Sequence, residues 1–218
     1  MAQSSQLSSI APYAQWMARP VEAVAADLES FSVLLKRWQR VQNLVSRETL
    51  DSLWTRHFAD SLQILKLTNA ADVLFLDLGS GGGFPALPLA IALKGSPARF
   101  VLVEPNSRKV SFLRTVAREI GLAVTVEGVR SDQIDSRETL AVDVITSRAL
   151  ASLPDLCGML APFFRPKTRA LLHKGREHVE ELAESRAQWD YDVLLTSSDT
   201  SEDGVLIELR NLRSKTVR

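Results

Sequence analysis

A glycine-rich segment follows an apolar run in the sequence LFLDLGSGGGFPALPLAIAL, which begins at residue 74. The glycines at positions 79, 81, 82 and 83 carry no Cβ atom, so the main chain there can come close to a bound nucleoside. In an open α/β sheet, ligands bind beyond the carboxyl ends of the strands, usually next to the first strand. We therefore expect Gly79, Gly81 and Gly83 to belong to a nucleoside-binding loop.

The acid before this loop discriminates between nucleosides. The spacing of Gly81, Gly83 and Ala86 also fits a dinucleotide pattern, with Glu104 about 20 residues further along. Asp77, however, would oppose the pyrophosphate that a nicotinamide dinucleotide places at this turn. S-adenosylmethionine has no phosphate and carries an ammonium and a sulfonium, which an acid complements, and the loop amides would be available to its carboxylate. S-adenosylmethionine is the predicted cofactor, and an NAD-dependent oxidoreductase is the alternative.

Further cofactor contacts are expected along the same edge of the sheet. Ser80 and Phe84 belong to the loop itself. Glu104 ends the second apolar run, where a carboxylate can accept hydrogen bonds from both ribose hydroxyls. Val129 and Arg130 follow the third run and would lie beside the adenine, although Arg130 also fits a solvated loop.

The fourth apolar run, VDVITSRA, should present the acceptor-binding residues, with Ser147 and Arg148 at the mouth. It carries neither an Asn-Pro-Pro-Tyr type motif nor a cysteine nucleophile. An acceptor with an exposed lone pair, such as guanine N7, needs only in-line placement and no general base. Arg148 and Lys174 could orient the base or hold phosphate. Arg148 could equally be an ion-pair partner.

Alternating strands and helices must position these residues. Apolar runs occupy residues 73–79, 99–104, 122–128, 142–149, 168–175, 191–196 and 204–210, and the first five are separated by segments with helical periodicity. This alternation predicts a doubly wound α/β fold with a mostly parallel seven-stranded sheet. The last two runs leave no room for a helix and predict an antiparallel hairpin. The arrangement is that of the Rossmann-like class I methyltransferases.

The N-terminal part has a different pattern. Apolar residues recur at spacings of three and four from about Pro20 to Leu67, which predicts a helical extension over 1–68 before a cofactor-binding domain over 69–218. The second helix should run from about Ser46 or Thr49 to Leu65, with these two residues as possible caps. The residues before Pro20 have a composition typical of a mobile or loosely docked start.

The amino-acid composition restricts the possible partners and location of the protein more than it indicates a function. Basic and acidic residues number 26 each, so the formal net charge is zero and nucleic-acid binding must depend on local patches. Cys157 is expected to be an inert buried thiol, and no metal site is indicated. No leader or membrane segment is evident, which predicts a cytoplasmic protein, with a monomer as the default. Two basic patches could bind nucleic acid, although both could equally be solvated surface. The first consists of Lys36, Arg37, Arg40, Arg47 and Arg56, and the second of Arg210, Arg213, Lys215 and Arg218.

Five blocks of sequence, in order, resemble the family of RsmG, also called glucose-inhibited division protein B. They are NLVS at 43–46, RHFADSL at 56–62, DLGSGGGFPALPLAIAL from 77, SRALASL at 147–153 and LLHKG at 171–175. Members methylate guanine N7 in 16S ribosomal RNA of the small subunit, usually at guanine 527. One departure is visible, since Pro85-Ala86 replaces the usual Pro-Gly.

The resemblance implies roles for several residues of this chain. Asp77 and the glycine loop would bind S-adenosylmethionine, and Glu104 would take the ribose-binding place. Arg56 and His57 would close over the pocket, while Arg130, Arg148 and Lys174 would contribute to RNA or guanine placement. His173 and His178 are interpreted as structural or surface residues. The partner would be 16S rRNA or the small subunit, and a non-catalytic module that binds cofactor and RNA is the second alternative.

Overall fold

The computed structural model describes residues 2–134 and 142–215, so Arg218 of the second basic patch lies outside them. Its centre is a seven-stranded sheet in the order β3-β2-β1-β4-β5-β7-β6. The strands from β1 to β5 are parallel, and β7 pairs antiparallel with β5 and β6, which confirms the predicted fold. The strands are β1 (Leu74–Leu78), β2 (Arg99–Val103), β3 (Val124–Glu127), β4 (Val144–Arg148), β5 (Arg169–Lys174), β6 (Trp189–Ser197) and β7 (Val205–Ser214).

The N-terminal extension is helical, and it is packed against the rest of the protein from Ile10 onward. It consists of α1 (Ala2–Ile10), a 3-10 turn (Ala11–Trp16), α2 (Val21–Gln39) and a 3-10 turn (Arg47–Thr49). Ile10 and Tyr13 are buried, so the expected loosely docked start is wrong. Apolar side chains outweigh the polar composition of this segment, because they complete the core against the rest of the extension.

A second helix of mixed type, hereafter the mixed helix, occupies residues 53–67. It passes from a π-helical stretch (Trp54–Ala59) through the α-helical turn α3 (Asp60–Leu62) to a 3-10 stretch (Gln63–Leu67). The helix was predicted, but the prediction that Ser46 and Thr49 cap it is wrong. The side chain of Ser46 caps no helix, and the Thr49 hydroxyl instead donates to the Ser46 carbonyl oxygen and contacts His57.

Helices between the parallel strands cover both faces of the sheet. They are α4 (Ala86–Ala92), α5 (Ser107–Ile120), α6 (Leu153–Leu160) and α7 (His178–Ser185). The extension, α4 and α5 share one apolar core with the sheet, whereas α6 and α7 pack on the opposite face. Cys157 of α6 is buried as expected, and burial raises its pKa to about 12.

Strand alternation decides which functional side chain faces which layer. Successive side chains point to opposite faces, so Val144 and Arg148 of β4 both face the extension. His173 of β5 lies opposite Arg148 in the register and also faces the extension. Lys174 is the next residue of β5 and turns to the other face, toward α7. The ends of β4 and β5 thus supply side chains to both walls of one site.

Candidate active site

The glycine loop lies at the carboxyl end of β1, beside the point where the strand order reverses between β1 and β4. Gly81 has φ +52°, and a Cβ added there would have only the Gly79 carbonyl oxygen nearby, at 3.7 Å. The loop therefore leaves an open face at Gly81. Its amides are less available than expected, because those of Gly79, Ser80, Gly81 and Gly83 already donate hydrogen bonds to acceptors within the protein.

Asp77 is buried beneath this loop, with 1% of its surface exposed. One carboxyl oxygen, Oδ1, accepts a hydrogen bond of 2.6 Å from the hydroxyl of Thr146, while Oδ2 has no hydrogen-bond partner among the described residues. Burial disfavours the charged form and raises the pKa of Asp77 to about 7, and the nearby hydroxyls of Ser80 and Thr146 oppose this rise. A cation placed near Oδ2 would favour the ionised carboxylate.

Glu104 follows β2 and is tied to the same loop. Its Oε2 accepts from the Gly81 amide at 2.9 Å and its Oε1 from the Asn106 amide at 2.9 Å. Each carboxylate oxygen has further acceptor capacity, so the side chain can still receive hydroxyl donors. The position predicted for a ribose-binding acid is thus occupied by a carboxylate of fixed orientation.

The remaining predicted cofactor residues differ in their surroundings. Ser80 is buried and donates from its hydroxyl to the Asp77 carbonyl oxygen. Phe84 is buried and packs its ring against Phe31. Val129 is half-buried after β3, and the exposed Arg130 pairs with Asp132 at 3.3 Å. Arg130 does not line the cavity that opens beyond the ends of β4 and β5.

A cavity of about 570 Å³ opens beyond the ends of β4 and β5. Its wall combines cations, acids and a histidine with the loop that follows β4. That composition suits a polar ligand that offers both donors and acceptors. The polar and charged side chains that line the cavity include Arg56, Asp60, Arg148, His173, Lys174 and Thr200.

Arg148 is fixed by the mixed helix. Its Nη2 donates to the Arg56 carbonyl oxygen at 2.9 Å and pairs with Oδ2 of Asp60 at 3.2 Å. Its Nη1 contacts Nδ1 of His57 at 3.2 Å. Arg148 is therefore an ion-pair partner and also lines the cavity, whereas its role toward a base or phosphate stays a prediction.

The contacts of His57 determine its tautomer. An arginine can only donate, so Nδ1 of His57 accepts from Arg148 and carries no proton. The other nitrogen, Nε2, then donates to the Thr49 hydroxyl at 2.8 Å. Burial, and next the charge of Arg148, lower the His57 pKa to about 4. His57 is thus a neutral residue that orients Arg148.

Lys174 occupies the opposite wall. Its Nζ pairs with Glu181 of α7 at 2.6 Å and donates to the Ala151 carbonyl oxygen at 2.7 Å. These contacts hold the loop after β4, in which Leu150 lies close against Gly79. The lysine therefore connects the cavity wall to the loop beside the predicted cofactor site. Ser147 also points to this face, where its buried hydroxyl donates to the Leu78 carbonyl oxygen.

Three residues at the site were not predicted. Thr146 binds Asp77, Asp60 pairs with Arg148, and His173 lines the cavity. His173 was interpreted as structural or surface, and it is largely buried, with Nε2 donating to the Asp60 carbonyl oxygen at 2.8 Å. Strand alternation could have placed Thr146 and His173, and Asp60 is the one acid in RHFADSL.

Two further features bear on the type of protein. Among the described residues, no group of three or more histidine, cysteine, aspartate or glutamate side chains could hold a metal ion. In that same part of the chain, none of the helices combines the length and apolar character needed to span a bilayer.

Comparisons with known proteins agree with this arrangement. The family GidB, described as rRNA small subunit methyltransferase G, matches residues 24–203. Ribosomal RNA small subunit methyltransferase G of Cereibacter sphaeroides is 42% identical over 187 residues, which cover 85% of this chain and 89% of that protein. The protein of the same name from Bartonella tribocorum is 40% identical over 189 residues, or 86% of this chain and 88% of its own length.

Solved structures extend the likeness at the level of the fold. An O-methyltransferase from Bacillus cereus, in complex with SAH, superposes with a TM-score of 0.58 at 16% identity. The match covers 85% of this chain and 91% of that one. At this identity the likeness shows a shared Rossmann-like methyltransferase fold.

Proposed function

Since the chain belongs to the family of rRNA small subunit methyltransferase G, it is an S-adenosylmethionine-dependent rRNA methyltransferase, and we propose that its acceptor is N7 of a guanine in small-subunit rRNA. The observation that carries the proposal is the adjacency of two sites at one edge of the sheet. The glycine loop with Asp77 lies beside β4, and the cavity lined by Arg148 opens at the end of β4.

The residues of the loop fit S-adenosylmethionine. When bound, this cofactor supplies a methyl group activated by the adjacent sulfonium. Oδ2 of Asp77, which lacks a partner among the described residues, is an acceptor suited to the cationic part of the molecule. Glu104 offers a fixed carboxylate for hydroxyl donors, and the open face at Gly81 permits close approach of the main chain. Gly79, Ser80, Gly83, Phe84, Val129 and Arg130 are proposed to complete this shell.

The cavity residues suit a guanine acceptor. N7 of guanine carries a free lone pair, so the reaction needs placement of the base and no proton removal at N7. Arg148 and Lys174 present cationic donors that match the O6 atom of guanine or a phosphate oxygen. His57 stays neutral and holds the Arg148 guanidinium. Arg56 is an exposed cation at the rim and is proposed to contact RNA.

The proposed partner is 16S rRNA, free or within the small subunit, and we propose that a cytoplasmic monomer carries out the reaction. The NAD-dependent alternative is not favoured, because the relatives are rRNA methyltransferases and the acid Asp77 lies two residues before the first glycine of the loop.

The function is tested by supplying S-adenosylmethionine with a labelled methyl group to the protein together with naked 16S rRNA or with small subunits that lack the modification. We expect label in 7-methylguanosine after nuclease digestion, and about 10-fold or greater loss for Arg148→Ala at nearly unchanged cofactor affinity. Binding of both ligands without transfer would instead identify a non-catalytic module. Calorimetric titration of wild type and Asp77→Ala with S-adenosylmethionine and with NAD tests the cofactor separately.

A further inference from the structure

We infer that Asp60 is the positioning residue of the acceptor cavity: it holds the guanidinium of Arg148 in one orientation and joins the loop between β6 and β7 to the same site. The inference rests on the proposed function, because it assigns Arg148 to guanine or RNA placement. Asp60 itself belongs to the mixed helix and is 9% exposed.

Both oxygens of the Asp60 carboxylate are engaged. Oδ1 accepts from Nε2 of Gln63 at 2.8 Å and from the Thr200 hydroxyl at 2.6 Å. Oδ2 pairs with Nη2 of Arg148 at 3.2 Å and lies 3.8 Å from Nε2 of His173. A carboxylate held at both oxygens cannot rotate freely, so it presents Oδ2 to Arg148 in a defined direction.

Asp60 is also the acidic partner of Arg148 among the described residues. The other acceptors of the guanidinium, the Arg56 carbonyl oxygen and Nδ1 of His57, are neutral. Burial and the nearby Arg56 lower the pKa of Arg148, whereas the charge of Asp60 raises it. Removal of this charge would leave a largely buried cation beside a second cation, and the guanidinium would gain by turning to water.

The same carboxylate reaches the loop between β6 and β7. Thr200 donates to it, and Gln63 binds both Oγ of Ser198, at 3.2 Å, and the Asp199 amide, at 2.9 Å. Ser198 and Thr200 line the cavity. The Asp60 carbonyl oxygen accepts from His173 at the end of β5. One residue thus contacts the mixed helix, β4, β5 and the β6–β7 loop around the cavity.

Asp60→Asn tests the inference, because it keeps the shape of the side chain and removes its charge. We expect kcat to fall about 10-fold or more, with less than about a threefold change in KM for RNA and an unchanged dissociation constant for S-adenosylmethionine. Asp27→Asn is the matched control. Asp27 is likewise a partly buried acid with two cationic partners, Arg19 at 2.6 Å and Lys94 at 3.3 Å, but it lies outside the cavity wall.

A double-mutant cycle with Arg148→Ala separates positioning from a general structural effect. If Asp60 acts through Arg148, Asp60→Asn changes kcat by less than about twofold once Arg148 is alanine. Equal losses in both backgrounds would overturn the inference, as would a loss of cofactor binding parallel to the loss of kcat.

A readout independent of activity is the nitrogen NMR signal of the Arg148 guanidinium, assigned with Arg148→Lys. A held guanidinium gives separate Nη signals in wild type, and Asp60→Asn should merge them by rotation. If Asp60→Asn does not fold, Thr200→Val tests the inference instead, because it removes one hydrogen bond to Asp60. Merged or broadened Nη signals in this variant would support the inference, and unchanged signals would overturn it. Wild-type protein that forms no 7-methylguanosine would contradict the proposed function, while these signals still test Asp60.

Discussion

At the scale of single residues, the site places ionisable groups where burial changes their protonation. Asp77 and His57 are both buried, and burial shifts their pKa values in opposite directions, because it favours the neutral form of each. A partly protonated carboxyl near neutral pH can respond to a cationic ligand, and a neutral imidazole can accept from a guanidinium. The protonation of these two side chains should therefore affect cofactor binding and stability.

Asp77→Asn should lower affinity for S-adenosylmethionine and raise the stability of the ligand-free protein. The pKa of Asp77 is about 7 when folded against 3.8 ordinarily, so the folded state binds more protons between these values. Stability is therefore lost as pH rises from about 4 to 7, by at most ~1.4 kcal/mol per pH unit, and asparagine escapes this loss. Thermal unfolding of both proteins at pH 4 and pH 8, with calorimetric titration, measures the effect. An equal Tm at pH 8 together with full cofactor binding would contradict it.

His57 should titrate near pH 4 and remain neutral where the enzyme works. Its pKa is lowered by burial and by Arg148, so the unfolded state takes up its proton first as pH falls. The folded protein therefore loses stability from this residue between about pH 6.5 and pH 4. Carbon NMR of labelled histidines, assigned with His57→Gln, measures the midpoint. A midpoint near 6.5 would show that Arg148 does not donate to Nδ1.

At the scale of elements, the extension forms part of both sites. Phe31 of α2, Phe58 of the mixed helix and Phe84 of the glycine loop pack their rings together, with centroids 5.4 to 6.1 Å apart. The segment after α2 lies against the loop, since a Cβ on Gly82 would come within 2.8 Å of the Leu44 carbonyl oxygen. The N-terminal extension and the cofactor-binding domain thus share one apolar core. The predicted boundary between them at residue 68 stays a prediction.

Gly82→Ala should weaken cofactor binding about 10-fold, because overpacking of this size typically costs 1–3 kcal/mol and the obstructing atom is main chain. Either the glycine loop or the segment at Leu44 has to move. Gly158→Ala in α6 is the control, since its added methyl would meet only Trp189, at 3.8 Å. Titration with S-adenosylmethionine compares the two variants. Wild-type affinity in Gly82→Ala would mean that the contact with Leu44 does not fix the loop.

Prediction from sequence succeeded where local pattern decides structure and failed where distant residues meet. Apolar runs located the strands, and Asp77, Glu104 and Arg148 were placed at strand ends by that pattern alone. The pairing of Asp60 with Arg148 and with Thr200 joins residues 88 and 140 positions apart, and no local signal encodes such contacts. Neither predicted cap formed: the Ser46 side chain caps no helix, and the hydroxyl of Thr49 is already engaged by the Ser46 carbonyl oxygen and by His57.

At the scale of the whole molecule, zero net charge conceals an uneven distribution of cations. In the extension, Lys36, Arg37, Arg40, Arg47 and Arg56 are exposed, and none forms an ion pair within residues 2–134 and 142–215. In the second patch, Arg210 pairs with Glu208 and Arg213 pairs with Asp190. Of these two patches, the one in the extension is therefore the one whose cations are free to meet phosphate.

Replacing Lys36, Arg37 and Arg40 with glutamine should weaken RNA binding and reduce the slope of log K against log salt by about 2, since each released counterion contributes about 0.7 to 0.9. The triple glutamine variant of Arg210, Arg213 and Lys215 should leave the slope nearly unchanged, because their partners already neutralise two of the three charges. Fluorescence titration with 16S rRNA at several salt concentrations makes the comparison. A larger loss in the second variant would place RNA at the other end of the protein.

The position of β7 in the sheet has a consequence for how the protein folds during its synthesis. β7 follows β6 in the sequence, yet in the sheet it lies between β5 and β6, and Val205 at its start lines the cavity beside His173. A ribosome makes the chain from its amino end, so β6 emerges with no neighbour to pair with and β5 keeps an open edge until β7 follows. An unfinished copy can possess the glycine loop but not the completed acceptor cavity. The cavity proposed to bind the acceptor is therefore completed only after β7 has been made.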